Sequence, residues 1–129
     1  MADKDMWGDF ELESIRTPVQ ILKEQAAALG PKTRNLVVAE VRSASELSKF
    51  YHTLQLVVPT LDGYRLNLLQ LSHTIEMYPL DFEFFGDPSL AQKVASEEEL
   101  NAALRRALSA PKTKRIISGI LGQVISIAS

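Results

Sequence analysis

Apolar positions along this chain follow three successive rhythms. Over residues 18–29, Ile21, Leu22 and Leu29 share a face with Gln25 at helical spacing, as a helix with one buried stripe requires. Thr17 marks its start as N-cap, Pro18 suits the first helical position, and Gln20 completes a capping box. Gly30 offers a left-handed C-terminal position and Pro31 blocks continuation, so the helix is predicted to stop there.

The period then shortens to two. Val37, Ala39 and Val41 alternate with Val38, Glu40 and Arg42, which predicts a half-buried strand. A turn rich in Ser43, Ser45 and Ser48 follows. Phe50, His52, Leu54, Leu56 and Val58 form one face of a second strand, and Tyr51, Thr53, Gln55 and Val57 the other. Asp62-Gly63 is a strong hairpin signal and predicts a returning strand over 64–75. A fourth strand over 78–85 turns Tyr78, Leu80, Phe82 and Phe84 one way, Asp81 and Glu83 the other. Pro79 lacks a ladder donor, which puts this strand at an edge, and 86–93 reads as a loop.

Helical spacing returns at Ser96, which with Glu99 forms a second capping box ahead of Leu100, Ala103, Leu104, Ala107 and Leu108. Pro111 ends or kinks that helix. Ile116, Ile117, Ile120, Leu121, Val124 and Ile125 predict a third helix; Gly119 and Gly122 weaken it, and 124–127 fits a strand as well. The predicted fold class is α+β: a four-stranded antiparallel meander with one N-terminal helix and two C-terminal helices packed on one face. Residues 1–16 read as an arm and 17–129 as one domain.

Composition narrows the function classes. With 129 residues, 46% of them apolar, the chain can bury a core without covalent staples. It has no cysteine, so a disulfide framework, a thiolate zinc site and a cysteine nucleophile are excluded, and a reducing cytosol fits. The start has neither a signal-peptide nor a transit-peptide pattern. The longest uncharged run, 116–129, is shorter than the roughly 20 residues of a membrane span. A net charge of −2 offers polyanions no general attraction, but the charges are unevenly placed. Asp3, Asp5, Asp9, Glu11 and Glu13 crowd the start against Lys4 alone, whereas Arg105, Arg106, Lys112, Lys114 and Arg115 have no acid between them.

Three groups of residues are candidates for chemistry or contact. If Asp62-Gly63 is a two-residue turn, Leu61 faces Tyr64 and the same register sets His52 directly opposite His73, with Cβ atoms about 5 Å apart. A four-residue loop moves them to a diagonal on the same face. Two imidazoles so placed can bind a small ligand, share a metal or relay a proton. The sequence supplies no third metal ligand, and the bland alternative is a hydrogen-bonded structural pair on the face of Phe50, Leu54, Leu56, Leu69, Leu71 and Ile75. Arg105 and Arg106 suit the end of a helix that opens with Glu97, Glu98 and Glu99. Lys112, Lys114 and Arg115 stand at the wrong end of the next one, so with Arg106 they form either a candidate anion site or a solvated connector. No aromatic residue interleaves them to stack bases.

The third group is apolar. Met6, Trp7 and Phe10 sit among carboxylates, ready to dock on a partner or to pack back on their own domain. Ile120 and Val124 belong to a stripe that is either core or contact surface. Asp9, Glu11 and Glu13 lack the spacing of a calcium loop. There is no Gly-x-Ser-x-Gly elbow and no phosphate-cradling glycine loop, and Asp81 and Glu83 read as edge protection.

No catalytic residue, metal or cofactor is assigned. The reading is a small non-catalytic protein-binding module of the bacterial cytosol, an adaptor or a toxin-neutralising protein, with Trp7, Phe10, Ile120 and Val124 as partner contacts. One alternative is a small-molecule or metal-binding protein or enzyme using His52 and His73. The other is an anion- or nucleic-acid-binding module built on Arg106, Lys112, Lys114 and Arg115. Neither membrane nor nucleic acid is the expected partner, and self-association is open.

Overall fold

Helix α1 (Pro18–Lys32) starts as its capping box requires. The Thr17 amide donates to Gln20 Oε1 at 3.0 Å, and the Gln20 amide donates to Thr17 Oγ1 at 3.2 Å. These contacts belong to a computed structural model that describes residues 5–10 and 16–128. The helix runs past its predicted stop, and Gly30 is helical. A Cβ on Gly30 would lie 2.8 Å from Asn35 Oδ1, so glycine serves close approach here. The left-handed turn falls instead at Arg34 and Asn35, with φ of 55° and 63°.

Five strands follow: β1 (Val38–Glu46), β2 (Lys49–Val58), β3 (Tyr64–His73), β4 (Leu80–Phe84) and β5 (Gln92–Val94). They form one antiparallel meander in chain order. Ser43 and Ser45 lie within β1. The turn is Leu47-Ser48, both at positive φ, the two-residue hairpin geometry. Strand β4 is interior, since β5 pairs with it through Leu80 and Val94. Pro79 precedes β4, after a cis Tyr78–Pro79 bond, so its missing N–H removes nothing from the ladder. Asp81 accordingly does not guard an edge. Its carboxylate meets Lys93 at 2.8 Å and Lys49 at 3.7 Å, and the Lys93 hydrogen bond holds it below the usual carboxylate range.

The β2–β3 connection departs most from expectation. Val58 pairs with Tyr64, so 59–63 is a five-residue loop, with Pro59–Leu61 a 3-10 turn and Asp62 and Gly63 both at positive φ. An odd loop length alone would flip every inward residue of β3 outward. One extra residue in β3 reverses the flip: Leu54 faces Leu69 and Gln55 faces Asn67, leaving Leu68 as a bulge. Leu68 and Leu69 are therefore buried in succession.

Helix α2 (Glu97–Leu108) is capped by Ser96 Oγ, which accepts the Glu99 amide at 3.2 Å. The Glu99 carboxylate reaches one residue further back than a capping box, to the Ala95 amide at 3.0 Å. Helix α3 (Pro111–Ala128) is continuous, so 124–127 is not a strand. Thr113 seals the α2–α3 corner: it is buried, and its Oγ1 donates to the Ala107 carbonyl at 2.6 Å. Gly119 and Gly122 are exposed, and a Cβ on either would meet nothing within 4 Å. Gly122→Ala is expected to raise stability by about 0.5–1 kcal/mol, seen as a higher denaturation midpoint at unchanged slope.

Helices and sheet close on one core. Ile21 and Leu22 of α1, Leu100 and Leu104 of α2, and Ile120 and Val124 of α3 meet the inward side chains of the sheet, of which Phe82 and Phe84 are the largest. The opposite sheet face is polar. There Arg65 Nη1 donates to Glu40 at 3.0 Å, Arg42 Nε to Gln55 at 3.1 Å, and Gln55 Nε2 to Asn67 at 2.8 Å.

Candidate functional site

The bulge at Leu68 puts both histidines on the helix-covered face, but not opposite each other. His52 pairs with Leu71 and His73 with Phe50, so the two stand on a diagonal with ring centroids 5.2 Å apart and planes inclined by 37°. The predicted direct opposition fails because the loop has five residues rather than two. Each histidine is only 7% exposed.

Their nitrogens are engaged within the protein to different degrees. His52 Nδ1 lies 2.7 Å from Ser43 Oγ, its cross-strand partner on β1. His73 Nδ1 lies 2.6 Å from the Thr74 carbonyl. A carbonyl only accepts, so His73 carries a proton on Nδ1, and in the neutral ring the lone pair is on Nε2. Nε2 is buried and, among the described residues, has no hydrogen-bond partner. Phe50 stacks on the same ring at 5.8 Å.

Burial lowers the His52 pKa, and the neighbouring charges of His73 and Lys23 lower it further. The unfolded chain therefore takes up a proton on His52 more readily than the folded one. Stability is fully present above the ordinary histidine pKa of about 6.5 and declines as pH falls below it, until the folded-state value is passed. His52→Gln is expected to flatten that slope, measured as denaturation midpoints between neutral pH and pH 5. The pair can hold a neutral polar group or a proton in transit. For a metal it offers two ligands, since no cluster of three His, Cys, Asp or Glu exists among the described residues.

The cationic group is split between the end of one helix and the start of the next, with Lys112 and Arg115, three residues apart, on one side of α3. Arg106 lies in the last turn of α2, and Lys112, Lys114 and Arg115 in the first turn and a half of α3. Lys112 and Lys114 stand about 200° apart around the helix axis, on either side of the buried Thr113. The Lys112 stem crosses Gly86, where an added Cβ would lie 3.1 Å from its Cγ. Its charge also contributes to the low pKa of Asp87, which is set first by hydrogen bonds from Ser89.

The apolar candidates separate cleanly. Ile120 and Val124, expected as partner contacts, are 9% and 6% exposed and belong to the core, because the stripe of α3 turns them toward the sheet. The exposed isoleucines of that helix are Ile125 and Ile127. Trp7 and Phe10 do the reverse of packing back. They are 80% and 67% exposed, beside a fully exposed Met6. Local chemistry assembles them: the Trp7 amide donates to Asp5 Oδ1 at 2.9 Å, Gly8 turns the chain at φ 76°, and the two rings meet at 6.5 Å. Leu12 and Ile15, part of the arm read over 1–16, lie outside the described residues.

One feature escaped the sequence. A cleft of about 160 Å³ opens between α1 and α3 over strands β1 to β3, lined among others by Leu29, Ala39, Leu54, Leu56, Leu108 and Ile117. The small side chains of Ala28 and Ala39 leave it unfilled, and a stripe of alternating apolar residues says nothing about such a gap. Among the described residues no helix is long and apolar enough to cross a membrane. Comparison with protein-family models, with curated proteins and with solved structures finds no match to this chain.

Proposed function

We propose that this chain is a non-catalytic protein-binding module that presents Trp7 and Phe10 to a protein partner. The observation that carries the reading is the exposed aromatic pair, held together by Asp5 and Gly8 instead of being buried in the core. Tryptophan is the residue most enriched among binding hot spots, and an exposed one beside a second aromatic anchors well in an apolar pocket. The carboxylates of Asp5 and Asp9 flank the pair, so the pocket suited to it is apolar with basic residues around it.

The histidines support a structural role more than a site. Both Nδ1 atoms are engaged by the protein, the rings are buried, and burial lowers the pKa of His52. A bacterial adaptor or a toxin-neutralising protein of the cytosol is the kind of role such a module fills. The test is affinity capture from a lysate of the source cells with the wild-type chain and with Trp7→Ala/Phe10→Ala as baits. The wild type is expected to recover a protein in stoichiometric amount and the variant none. Equal recovery by both baits sinks the reading.

A further inference from the structure

The sheet ends in two unlike edges. Strand β5 has three residues and carries Lys93, the short charged form that discourages pairing. Strand β1 has nine residues, contains no proline, glycine or lysine, and pairs with β2 without a bulge. Among the described residues, no strand pairs with its outer side.

The hairpin turn decides which groups point outward. Leu47-Ser48 is a two-residue turn flanked by Glu46 and Lys49. The flanking pair of such a turn exchanges both backbone hydrogen bonds, and bonded pairs then alternate with non-bonded ones. The even-numbered residues of β1 thus bond to β2, while Ala39, Val41, Ser43 and Ser45 direct N–H and C=O to the free edge.

We propose that β1 pairs antiparallel with β1 of a second copy of this chain, about a twofold axis at Val41. Charge complementarity selects both the partner and the register. With Val41 opposite Val41, Ala39 meets Ser43, Val38 meets Ala44, and Glu40 meets Arg42 twice, all over seven residues. A shift to Arg42 as centre sets Arg42 against Arg42, and a shift to Glu40 sets Glu40 against Glu40. Centring on Ser43 opposes Glu40 to Glu46. Centring on Ala44 opposes Arg42 to Glu46 but shortens the pairing to five residues. Only the Val41 register joins length to opposite charges, and directly opposed like charges destabilise a sheet. The contact is isologous, as a twofold dimer requires, and it extends the sheet from five strands to ten. The half-buried Ala39 and Val41 are covered further by it. Residues 5–10 take no part, so this inference stands apart from the aromatic site.

Sedimentation velocity from low to several hundred micromolar at low salt tests it, on the wild type, Glu40→Arg and Arg42→Glu. The wild type is expected to dimerise with rising concentration. Each variant alone opposes like charges twice and should dimerise at least about tenfold more weakly. An equimolar mixture of the two variants opposes Arg to Glu at all four positions, and dimers should return. That recovery also shows that both variants are folded. A wild type that stays monomeric overturns the proposal, including the case in which a different protein takes the edge. Dimers indifferent to either reversal overturn it too, as does a mixture that stays monomeric when the wild type does not.

Discussion

Phe82→Ala is expected to destabilise the protein by about 3–5 kcal/mol and to lower its melting temperature by roughly 10–25 °C. Phe82 is 1% exposed at the centre of β4, facing Leu71 on one side and Gln92 on the other, and is among the largest fully buried side chains. Its removal leaves a cavity that a sheet paired on both sides cannot collapse to fill. Against a total of about 5–15 kcal/mol for an ordinary domain, that loss is a large fraction. Phe85 supplies the control. It is 45% exposed on the polar side of the sheet, beside Gln55, Arg65 and Asn67, and Phe85→Ala should cost about 1 kcal/mol or less. Thermal melts of the two variants read the inward and outward faces of one segment. Comparable losses would mean that Phe82 and Phe85 do not stand on opposite sides of the sheet.

Replacing Trp7 and Phe10 by alanine is expected to do the opposite: abolish partner binding and leave stability alone. Both rings stand outside the core, and the side-chain hydrogen bonds that fix the start of α1 come from Arg16 and Thr17. Aromatic anchors of this kind contribute about 2 kcal/mol or more each when truncated, so losing both should weaken binding by roughly a thousandfold. Melting temperature should move by no more than about 2 °C, since exposed substitutions stay near ±0.5 kcal/mol. Isothermal titration with the captured partner, beside a melt of the same sample, separates the two effects. A fall in melting temperature comparable to that of Phe82→Ala would place the rings in the core.

The helix starts and the inward face of β2 were legible because both rest on chemistry local in sequence. Thr17 with Gln20, and Ser96 with Glu99, cap through residues three apart. His52, Leu54, Leu56 and Val58 alternate without interruption and are buried. The β2–β3 turn was misread because Asp62-Gly63 does adopt positive φ but closes a longer loop, whose length depends on where Val58 and Tyr64 meet. Two errors of parity then cancelled: the odd loop and the Leu68 bulge together return His73 to the face predicted for it. Strand β5 was invisible because three residues carry no period. Its one available signal was a charge, Lys93, able to meet Asp81 across strands. Ile120 and Val124 could not be told from Ile125 by spacing alone, since a broad helical stripe does not say where the core ends. Trp7 went against the general tendency of tryptophan to be buried, and that departure carries the functional reading.

The proposed use of Trp7 and Phe10 makes binding depend on side chains that the fold does not need. It is tested most directly by removing residues 5–10, which takes out Trp7 and Phe10 and keeps Arg16 with its 2.6 Å ion pair to Glu24. Capture and thermal unfolding are then measured on the shortened and the full chain side by side. The shortened chain is expected to melt as the full one does and to recover no partner. A shortened chain that captures the same protein with equal yield would rule out Trp7 and Phe10 as the binding residues.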